Sequence, residues 1–242
     1  MLEYRCQIWK DNNIIWKDYL PEITSIKYIY NDDNQDKFIH ININNTYIIN
    51  KDTTDCGLQL IKEGYNPLVL NMADIYHPGG CVSAGGGMQE ESIFRRSNYH
   101  RHLSSTLYPI QNNEAIYSPN VYVFRDNEDN AYTEFIVPVF MSFVACPSIS
   151  MPILTKCLFN ETDIQIFINK IRLIFQIAHE NNHDSIVLGA LGCGAFGCPI
   201  KHVAKLFYLE LYNTKYSFKN ITFAILGKNC DMFRDNFNNK NI

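Results

Sequence analysis

The stretch NMADIYHPGGCVSAGGGMQEESIFRRSNYHRH spans Asn71 to His102 and holds five of the chain's twelve glycines. The apolar run PLVL, from Pro67 to Leu70, stands directly before it and is typical of a buried strand. Behind the glycines, the spacing of Ile93, Phe94 and Leu103 is compatible with a helix. The pattern predicts a strand, a glycine-rich loop and a helix.

Two adjacent glutamates, Glu90 and Glu91, stand near the start of that helix. A glycine loop lets the backbone approach a ligand closely and leaves N–H groups free to bind it, so carboxylates beside the loop have something to act on. Acids also favour the first turn of any helix, and for a glutamate pair alone that is the better interpretation. The glycines, Gln89 and a second glycine loop downstream favour a functional site.

Composition excludes several classes of protein. The chain has 242 residues, 46% of them hydrophobic, which is enough for a substantial core. A formal net charge of −4 gives no basic footprint for nucleic acid, so we expect no sequence-specific nucleic-acid partner. The N-terminus lacks the apolar core of a signal peptide. The longest apolar run, Phe135 to Cys146, contains Pro138 and is too short to span a bilayer, so we expect no membrane association.

Eight cysteines are scattered along the chain without a CxxC pair. This spacing favours reduced thiols over a disulfide framework or a zinc site. We therefore expect an intracellular protein, cytoplasmic or nuclear, that is not secreted.

Apolar periodicity predicts the remaining elements. The predicted strands are Ile23 to Tyr30, Phe38 to Ile49, Val121 to Arg125, Glu134 to Cys146, Ser185 to Leu191 and Ile221 to Leu226. The predicted helices are Gly57 to Glu63, Glu161 to Asn182 and one that starts at Pro199. Residues 1–37 otherwise read as a polar, irregular extension, and residues 228–242 as a polar, frayed tail. Strands that alternate with helices predict one α/β domain over residues 1–242, with three α/β/α layers and a mainly parallel sheet.

The second glycine loop, GALGCGAFGCP, follows the strand that begins at Ser185. Its glycines, Gly192, Gly194 and Gly197, would let backbone amides wrap a diphosphate. Phe196 between them suits a contact with a sugar face, although a tight turn with Phe196 in the core is an ordinary alternative. The loop lacks both the Rossmann GxGxxG order and the P-loop GK[ST]. Because ligands bind at the carboxyl ends of parallel strands, both loops can face one cleft.

Four segments together resemble a known family: LNMA at Leu70 to Ala73, HPGGCVSAGGGMQEES at His77 to Ser92, SPNVYVFRD at Ser118 to Asp126, and GALGCGAFG at Gly189 to Gly197. They are similar to the macrodomain-type poly(ADP-ribose) glycohydrolases of the bacterial-type branch, the microbial-type PARG catalytic domain. The resemblance covers roughly Asp52 to Leu226.

This resemblance implies a macrodomain-like fold with a mixed, mainly parallel sheet. It also implies hydrolysis of a ribose glycosidic bond in poly(ADP-ribose) or an ADP-ribosylated protein, by a monomer without metal or other cofactor. Glu91 would be the catalytic acid/base and Glu90 would position a ribose hydroxyl. The implied substrate-binding residues are Asn71 on the distal ribose, Asp52 near the adenine amine, Gln89, Gly79 and Gly80, and the loop of Gly192, Cys193, Gly194, Ala195, Phe196 and Gly197.

The chemistry suits these residues without the family. A glycosidic bond breaks through an oxocarbenium-like transition state, and an acid must protonate the leaving oxygen. Crowding of two adjacent glutamates favours the protonated form of one of them. The carboxylate that results can then take a proton from the attacking water. Adjacent residues rarely flank one bond from both sides, so the nucleophile's role is not assigned to Glu90.

One departure concerns Cys81, which stands where family members usually have a third glycine. An ordinary backbone angle would tolerate this cysteine, whereas a positive φ would shift the loop. The departure concerns the substrate range more than the fold, and a mono-ADP-ribosylated side chain is the alternative to a polymer end. The main alternative function is a macrodomain that binds ADP-ribose without cleaving it. Retention of both glutamates favours the enzyme. An enzyme for a free nucleotide sugar is a third option.

Other reactive residues carry weaker signals. His77 beside Cys81 lacks further ligands for a metal. Cys193 has no base beside it in sequence and suits the packing of a tight loop better than nucleophilic attack. The basic cluster, Arg95-Arg96 with His100 to His102, could meet phosphates of a longer polymer or form a solvated helix face. Trp9 and Trp16 are predicted to pack the N-terminal segment onto the domain.

Overall fold

Seven strands form one mixed sheet in this computed structural model, which describes residues 1–15, 25–31, 45–214 and 216–238. The strands are β1 (Ile26–Ile29), β2 (Thr46–Ile49), β3 (Pro67–Asn71), β4 (Glu114–Arg125), β5 (Glu134–Ala145), β6 (Ser185–Leu188) and β7 (Asn220–Ala224). Their order is β1-β4-β5-β3-β6-β7-β2. The pairs from β5 to β2 are parallel, and those of β4 with β1 and β5 are antiparallel. The predicted mixed, mainly parallel sheet is confirmed.

Helices cover both faces of the sheet. They are α1 (Leu2–Ile15), α2 (Thr53–Lys62), α3 (Gln89–Arg96), α4 (Glu161–Glu180), α5 (Ile200–Asn213) and α6 (Lys228–Asn238). One core joins the sheet to α4, α5 and α6, and a second joins it to α2 and α3. The three-layer α/β/α architecture is therefore confirmed.

Strand β3 occupies the centre of the sheet and explains the apolar run before the glycine loop. Leu68 and Leu70 belong to one core and Val69 to the other, and all three are fully buried. A strand covered on both faces needs an unbroken apolar sequence. Burial of each such side chain contributes about 1.5–3 kcal/mol.

Side chains cap the starts of two helices. Asn160 caps α4 by accepting a hydrogen bond from the Asp163 N–H at 2.9 Å. Asp52 caps α2 by accepting from the N–H groups of Thr54 and Asp55 at 2.8 and 3.1 Å. Helix α2 accordingly begins at Thr53, earlier than the predicted Gly57.

The prediction of an irregular N-terminus was wrong over its first residues, because Leu2–Ile15 form α1. Polar contacts hold this helix: Asn12 donates to the carbonyl of Arg95 at 2.6 Å and accepts from Arg125 Nε at 2.8 Å. The ring of Trp9 packs against Phe94, which confirms its predicted role. Trp16 lies outside the described residues.

The predicted frayed tail is wrong over residues 228–238, and residues 239–242 lie outside the described part of the chain. Residues Lys228–Asn238 form α6, whose Cys230, Phe233 and Phe237 are buried. Phe233 packs on Phe223 of β7, with ring centroids 4.9 Å apart. The apolar spacing of one residue every third or fourth position is helical, but the polar residues between hide it.

Element boundaries differ in several places. Helix α3 ends at Arg96 and does not continue to Leu103, because Ser97 forms a bridge with Val123 of β4. Strand β4 begins at Glu114 and contains a bulge between Ser118 and Val121, so Pro119 interrupts its apolar alternation. The predicted strands that begin at Ile23 and Phe38 are seen only as β1 and β2; residues 23–24 and 38–44 lie outside the described part of the chain.

Candidate active site

The two glycine loops meet at the carboxyl edge of the sheet. One loop runs from the end of β3 to α3 and the other from the end of β6 to α5. Both line a cavity of about 330 Å³. The first loop and α3 contribute Gly80, Cys81, Gly86, Glu90 and Glu91, and the second contributes Gly192, Gly194, Ala195 and Phe196. The prediction that the loops face one cleft is confirmed.

Glu90 is held on both carboxylate oxygens. Its Oε1 accepts hydrogen bonds from Asn71 Nδ2 and the Gly79 N–H, each at 3.2 Å, and its Oε2 accepts from the Asp74 N–H at 2.7 Å. Burial raises the pKa of Glu90 to about 8, and these three hydrogen bonds oppose that rise. Asn71 and Gly79 therefore support Glu90, and their contacts with a substrate stay predictions.

Replacement of Glu90 by Gln should alter the pH dependence of stability. Because the folded protein holds this proton above its ordinary pKa of 4.5, the stability it contributes is present below pH 4.5 and is lost as the pH rises toward 8. The free energy of unfolding of the wild type minus that of Glu90→Gln should therefore fall between pH 5 and pH 8. Urea unfolding at a series of pH values measures this difference.

The exposed Glu63 at the end of α2 provides the control, since Glu63→Gln should keep the pH dependence of the wild type. A difference between wild type and Glu90→Gln that stays constant or grows with pH would contradict the expected protonation.

Glu91 lines the cavity and is bound to the first loop through one of its oxygens. Its Oε1 accepts a hydrogen bond from the Cys81 N–H at 3.0 Å. Its Oε2 is buried and has no hydrogen-bond partner among the described residues. An unsatisfied buried acceptor costs about 1–3 kcal/mol, so this oxygen gains from a hydrogen-bond donor that a ligand brings.

Glycines make room for this carboxylate. A Cβ at Gly80 would lie 2.8 Å from Glu91 Oε1, and one at Gly86 would lie 3.0 Å from the same atom. Gly80 also has a φ of +51°, which disfavours any L side chain. At Cys81, by contrast, φ is −96°, so the cysteine fits where a third glycine was expected.

Gln89 ties the start of α3 to neighbouring elements. Its Oε1 accepts from the Met72 N–H at 2.9 Å, and its Nε2 donates to Thr53 Oγ1 and the Leu70 carbonyl at 2.9 and 2.7 Å. The amide is thus used within the protein. The side chain lines the cavity, and its contact with a ligand stays a prediction.

The second loop offers backbone donors. Its Gly192 has a φ of +77°, and the Gly197 N–H donates to the Gly194 carbonyl at 3.1 Å. Within the described residues, the N–H groups of Gly194, Ala195 and Phe196 donate no hydrogen bond. Three successive free N–H groups at a strand-to-helix loop suit an anion such as a phosphate.

Phe196 is half-buried and lines the cavity, so its predicted alternative place in the core is wrong. Cys193 turns away from this cavity, with its Sγ 3.8 Å from the Leu191 carbonyl. Burial raises the pKa of the Cys193 thiol, which disfavours a nucleophilic thiolate.

A second cavity of about 550 Å³ adjoins the first. The residues common to both are Met72, Met88, Gln89, Ala190 and Gly194. Asp52 lines the second cavity, while its Oδ1 caps α2 and accepts from Arg96 Nη1 at 2.7 Å. The cavities together form one elongated cleft, and a contact of Asp52 with a ligand stays a prediction.

Arg95 and Arg96 of the basic cluster do not form a solvated helix face, and a contact of the cluster with polymer phosphates stays a prediction. Arg96 is fully buried and pairs with Asp52 and Asp55. Arg95 is also buried and donates to the Gly86 carbonyl at 2.7 Å. Burial lowers the pKa of His102 to about 3, so this side chain is neutral. Through these contacts the two arginines hold the first glycine loop and the start of α2.

Sequence reasoning missed several cavity residues. Ser148 follows β5, is 2% exposed and lies 3.3 Å from Cys198 Sγ through its Oγ. Met72, Asp74 and Met88 also line the cavity. The available signal was position, since Ser148, Met72 and Asp74 come shortly after the carboxyl ends of β5 and β3.

No metal or membrane feature appears in the described ranges. Residues 1–15, 25–31, 45–214 and 216–238 contain no group of three or more His, Cys, Asp or Glu side chains that could hold a metal ion. His77 Nδ1 lies 3.5 Å from Asp74 Oδ1. None of the described helices has both the length and the apolarity needed to cross a bilayer.

Comparison with known proteins gives a family match over part of the chain and a similar fold. Residues 16–126 match the family model described as microbial-type PARG, catalytic domain. This range includes the first glycine loop and both glutamates but ends before the second loop. No similar sequence was found among curated proteins.

Among solved structures, the fold is similar to two bacterial poly(ADP-ribose) glycohydrolases. The enzyme of Thermomonospora curvata, bound to the inhibitor ADP-HPD, gives a TM-score of 0.80 at 20% identity, over 97% of this chain and 100% of that one. The enzyme of Deinococcus radiodurans, in complex with ADP-ribose, gives a TM-score of 0.70 at 23% identity, over 81% of this chain and 84% of that one.

Proposed function

We propose that this chain, whose residues 16–126 match the microbial-type PARG catalytic-domain family, releases ADP-ribose from poly(ADP-ribose) or from ADP-ribosylated protein. The observation that carries the proposal is the unpartnered, buried Oε2 of Glu91, a residue that lines a cavity bounded by two glycine loops. A module that only bound the ligand would not need a buried carboxyl group there.

The donors and cavities suggest how ADP-ribose lies in the cleft. The diphosphate accepts hydrogen bonds from the N–H groups of Gly194, Ala195 and Phe196, which have no other described acceptor. The distal ribose occupies the smaller cavity between Phe196 and Glu91. The adenosine part extends into the adjoining cavity beside Asp52.

Glu91 performs both proton transfers in this arrangement. As the general acid, Glu91 gives a proton to the oxygen that links the ribose to the next group. The bond from the anomeric carbon to that oxygen breaks, its electron pair stays on the leaving oxygen, and an oxocarbenium-like ribose forms. Water then adds to the anomeric carbon while the Glu91 carboxylate takes its proton, which regenerates the acid and yields ADP-ribose.

Glu90 holds the first loop in place for this step. Both of its oxygens accept hydrogen bonds from Asn71, Asp74 and Gly79, so neither is directed at the anomeric carbon as a nucleophile. The negative diphosphate lies near the ribose and stabilises the cation that forms there.

The proposal includes an intracellular setting. All eight cysteines are free, among them Cys81 in the cavity wall, and a reducing compartment would keep them so.

The test is a product analysis with the wild-type protein. Poly(ADP-ribose) and a mono-ADP-ribosylated protein are incubated separately, and free ADP-ribose is followed by chromatography. Release from polymer supports the glycohydrolase, and release only from the modified protein restricts the substrate to a side-chain linkage. If calorimetry shows tight ADP-ribose binding but ADP-ribose is released from neither substrate, the proposal is overturned. The chain would then be a module that binds ADP-ribose without cleaving it.

A further inference from the structure

The N-terminal helix α1 touches the catalytic loop, although it precedes the matched family range of residues 16–126. We infer that Arg5 of α1 is a positioning residue for Glu91, which it serves by holding the triglycine segment Gly85 to Gly87. This inference rests on the proposed function.

Arg5 is fixed by a bidentate ion pair. Its Nε and Nη2 donate to Glu128 Oε1 and Oε2 at 2.7 and 2.6 Å. The two side chains are 22% and 28% exposed, so the pair lies partly inside the protein. A bidentate pair fixes the plane of the guanidinium as well as its position.

The fixed guanidinium lies against the triglycine segment. A Cβ at Gly87 would lie 2.3 Å from Arg5 Nη1, and the Gly85 carbonyl is 3.5 Å from the same nitrogen. The backbone of α1 is equally close, since a Cβ at Gly85 would lie 2.8 Å from the Leu2 carbonyl oxygen. On its other side the segment is held by Arg95, which donates to the Gly86 carbonyl at 2.7 Å.

Gly86 connects this support to the catalytic carboxylate. Its N–H donates to the Cys81 carbonyl at 3.0 Å, and the Cys81 N–H in turn donates to Glu91 Oε1 at 3.0 Å. A Cβ at Gly86 would itself lie 3.0 Å from Glu91 Oε1. A shift of the triglycine segment therefore changes both the space around the Glu91 carboxyl group and its hydrogen-bond donor.

The expected effect falls on catalysis more than on stability. A partly exposed ion pair contributes little to the stability of the fold. Misplacement of a catalytic group by about 1 Å, in contrast, can lower the rate by about a hundredfold. Arg5→Gln should therefore lower kcat about tenfold or more, with KM within about twofold of the wild type.

Arg172→Gln is the matched control. Arg172 forms a similar bidentate pair with Glu210, at 2.7 and 3.3 Å, between α4 and α5 on the opposite face of the sheet. Its loss should change the melting temperature by about as much as the loss of Arg5 and leave kcat unchanged. Arg5→Lys should recover part of kcat, because lysine keeps the charge but not the fork.

Gly87→Ala reaches the same contact from the loop side, since the added methyl group must displace the guanidinium of Arg5. It should lower kcat as Arg5→Gln does, and the double variant should be little worse than either single one. If the losses of kcat in the two single variants multiply in the double variant, the inference is overturned. It is also overturned if Arg5→Gln and Arg172→Gln have the same kcat.

A measurement that does not depend on turnover tests this inference separately from the proposed function. Amide hydrogen exchange at Cys81 should be faster in Arg5→Gln than in the wild type and in Arg172→Gln, whether or not ADP-ribose is released. Absence of wild-type turnover refutes the proposed function, and equal exchange at Cys81 in all three proteins refutes the role of Arg5.

Discussion

Replacement of Glu91 by Gln is expected to lower kcat for ADP-ribose release by about a thousandfold, within the range that a general acid/base supplies. The amide keeps the size of the side chain, and its oxygen can still accept from the Cys81 N–H, as Glu91 Oε1 does at 3.0 Å. It cannot give a proton to the leaving oxygen or take one from water. Steady-state release of ADP-ribose, measured by chromatography, gives the change in kcat.

Binding and stability serve as controls for this variant. Calorimetry should give an ADP-ribose dissociation constant within a few-fold of the wild type, because only proton transfer is lost. Glu91→Asp keeps the acid but shortens its reach, so it should also lose most of its turnover. A kcat of Glu91→Gln within tenfold of the wild type would remove Glu91 from the mechanism.

Replacement of Gly192 by Ala is expected to abolish measurable ADP-ribose binding and to destabilise the fold by about 3 kcal/mol or more. The residue has a φ of +77°, and an added Cβ would lie 2.2 Å from Ser148 Oγ and 2.6 Å from Cys198 Sγ. Ser148 and Cys198 are 2% and 5% exposed, so the packed surroundings leave them little room to move. The loop must shift, and the free N–H groups of Gly194 to Phe196 shift with it.

Gly227→Ala is the control, because it introduces backbone strain without a steric clash of the added methyl group. Gly227 has a φ of +67°, and an added Cβ there would meet nothing within 4 Å. It should lose only the roughly 1–2 kcal/mol of a left-handed residue and keep ADP-ribose binding. Thermal unfolding and calorimetry compare the two variants, and equal stability with equal binding would show that the space at Gly192 is unimportant.

Sequence reasoning located the first loop and its glutamates because glycines, carboxylates and an apolar strand stand close together in the chain. The same local information placed β3 and α4, whose apolar patterns match burial on two faces and on one face. It also joined the two loops into one cleft, since parallel strands place their carboxyl ends at one edge.

Long-range pairing explains what sequence reasoning missed. Arg96 reads as a surface cation, but Asp52 and Asp55, about forty residues earlier, neutralise it inside the protein. Helix α1 has no clear apolar stripe, because Asn12 and Arg5 attach it through polar contacts with distant residues. No local sequence pattern identifies such partners. The place of Ser148 in the cavity wall depends in the same way on its contact with the second glycine loop.

In the proposed complex, the cleft holds ADP-ribose with its distal ribose at Glu91 and its diphosphate on the second loop. A crystal structure of Glu91→Gln with ADP-ribose tests this arrangement. We expect diphosphate oxygens within hydrogen-bond distance of the N–H groups of Gly194, Ala195 and Phe196, with the anomeric hydroxyl beside the side chain at position 91. A diphosphate bound away from that loop, or a distal ribose out of reach of position 91, would contradict the account.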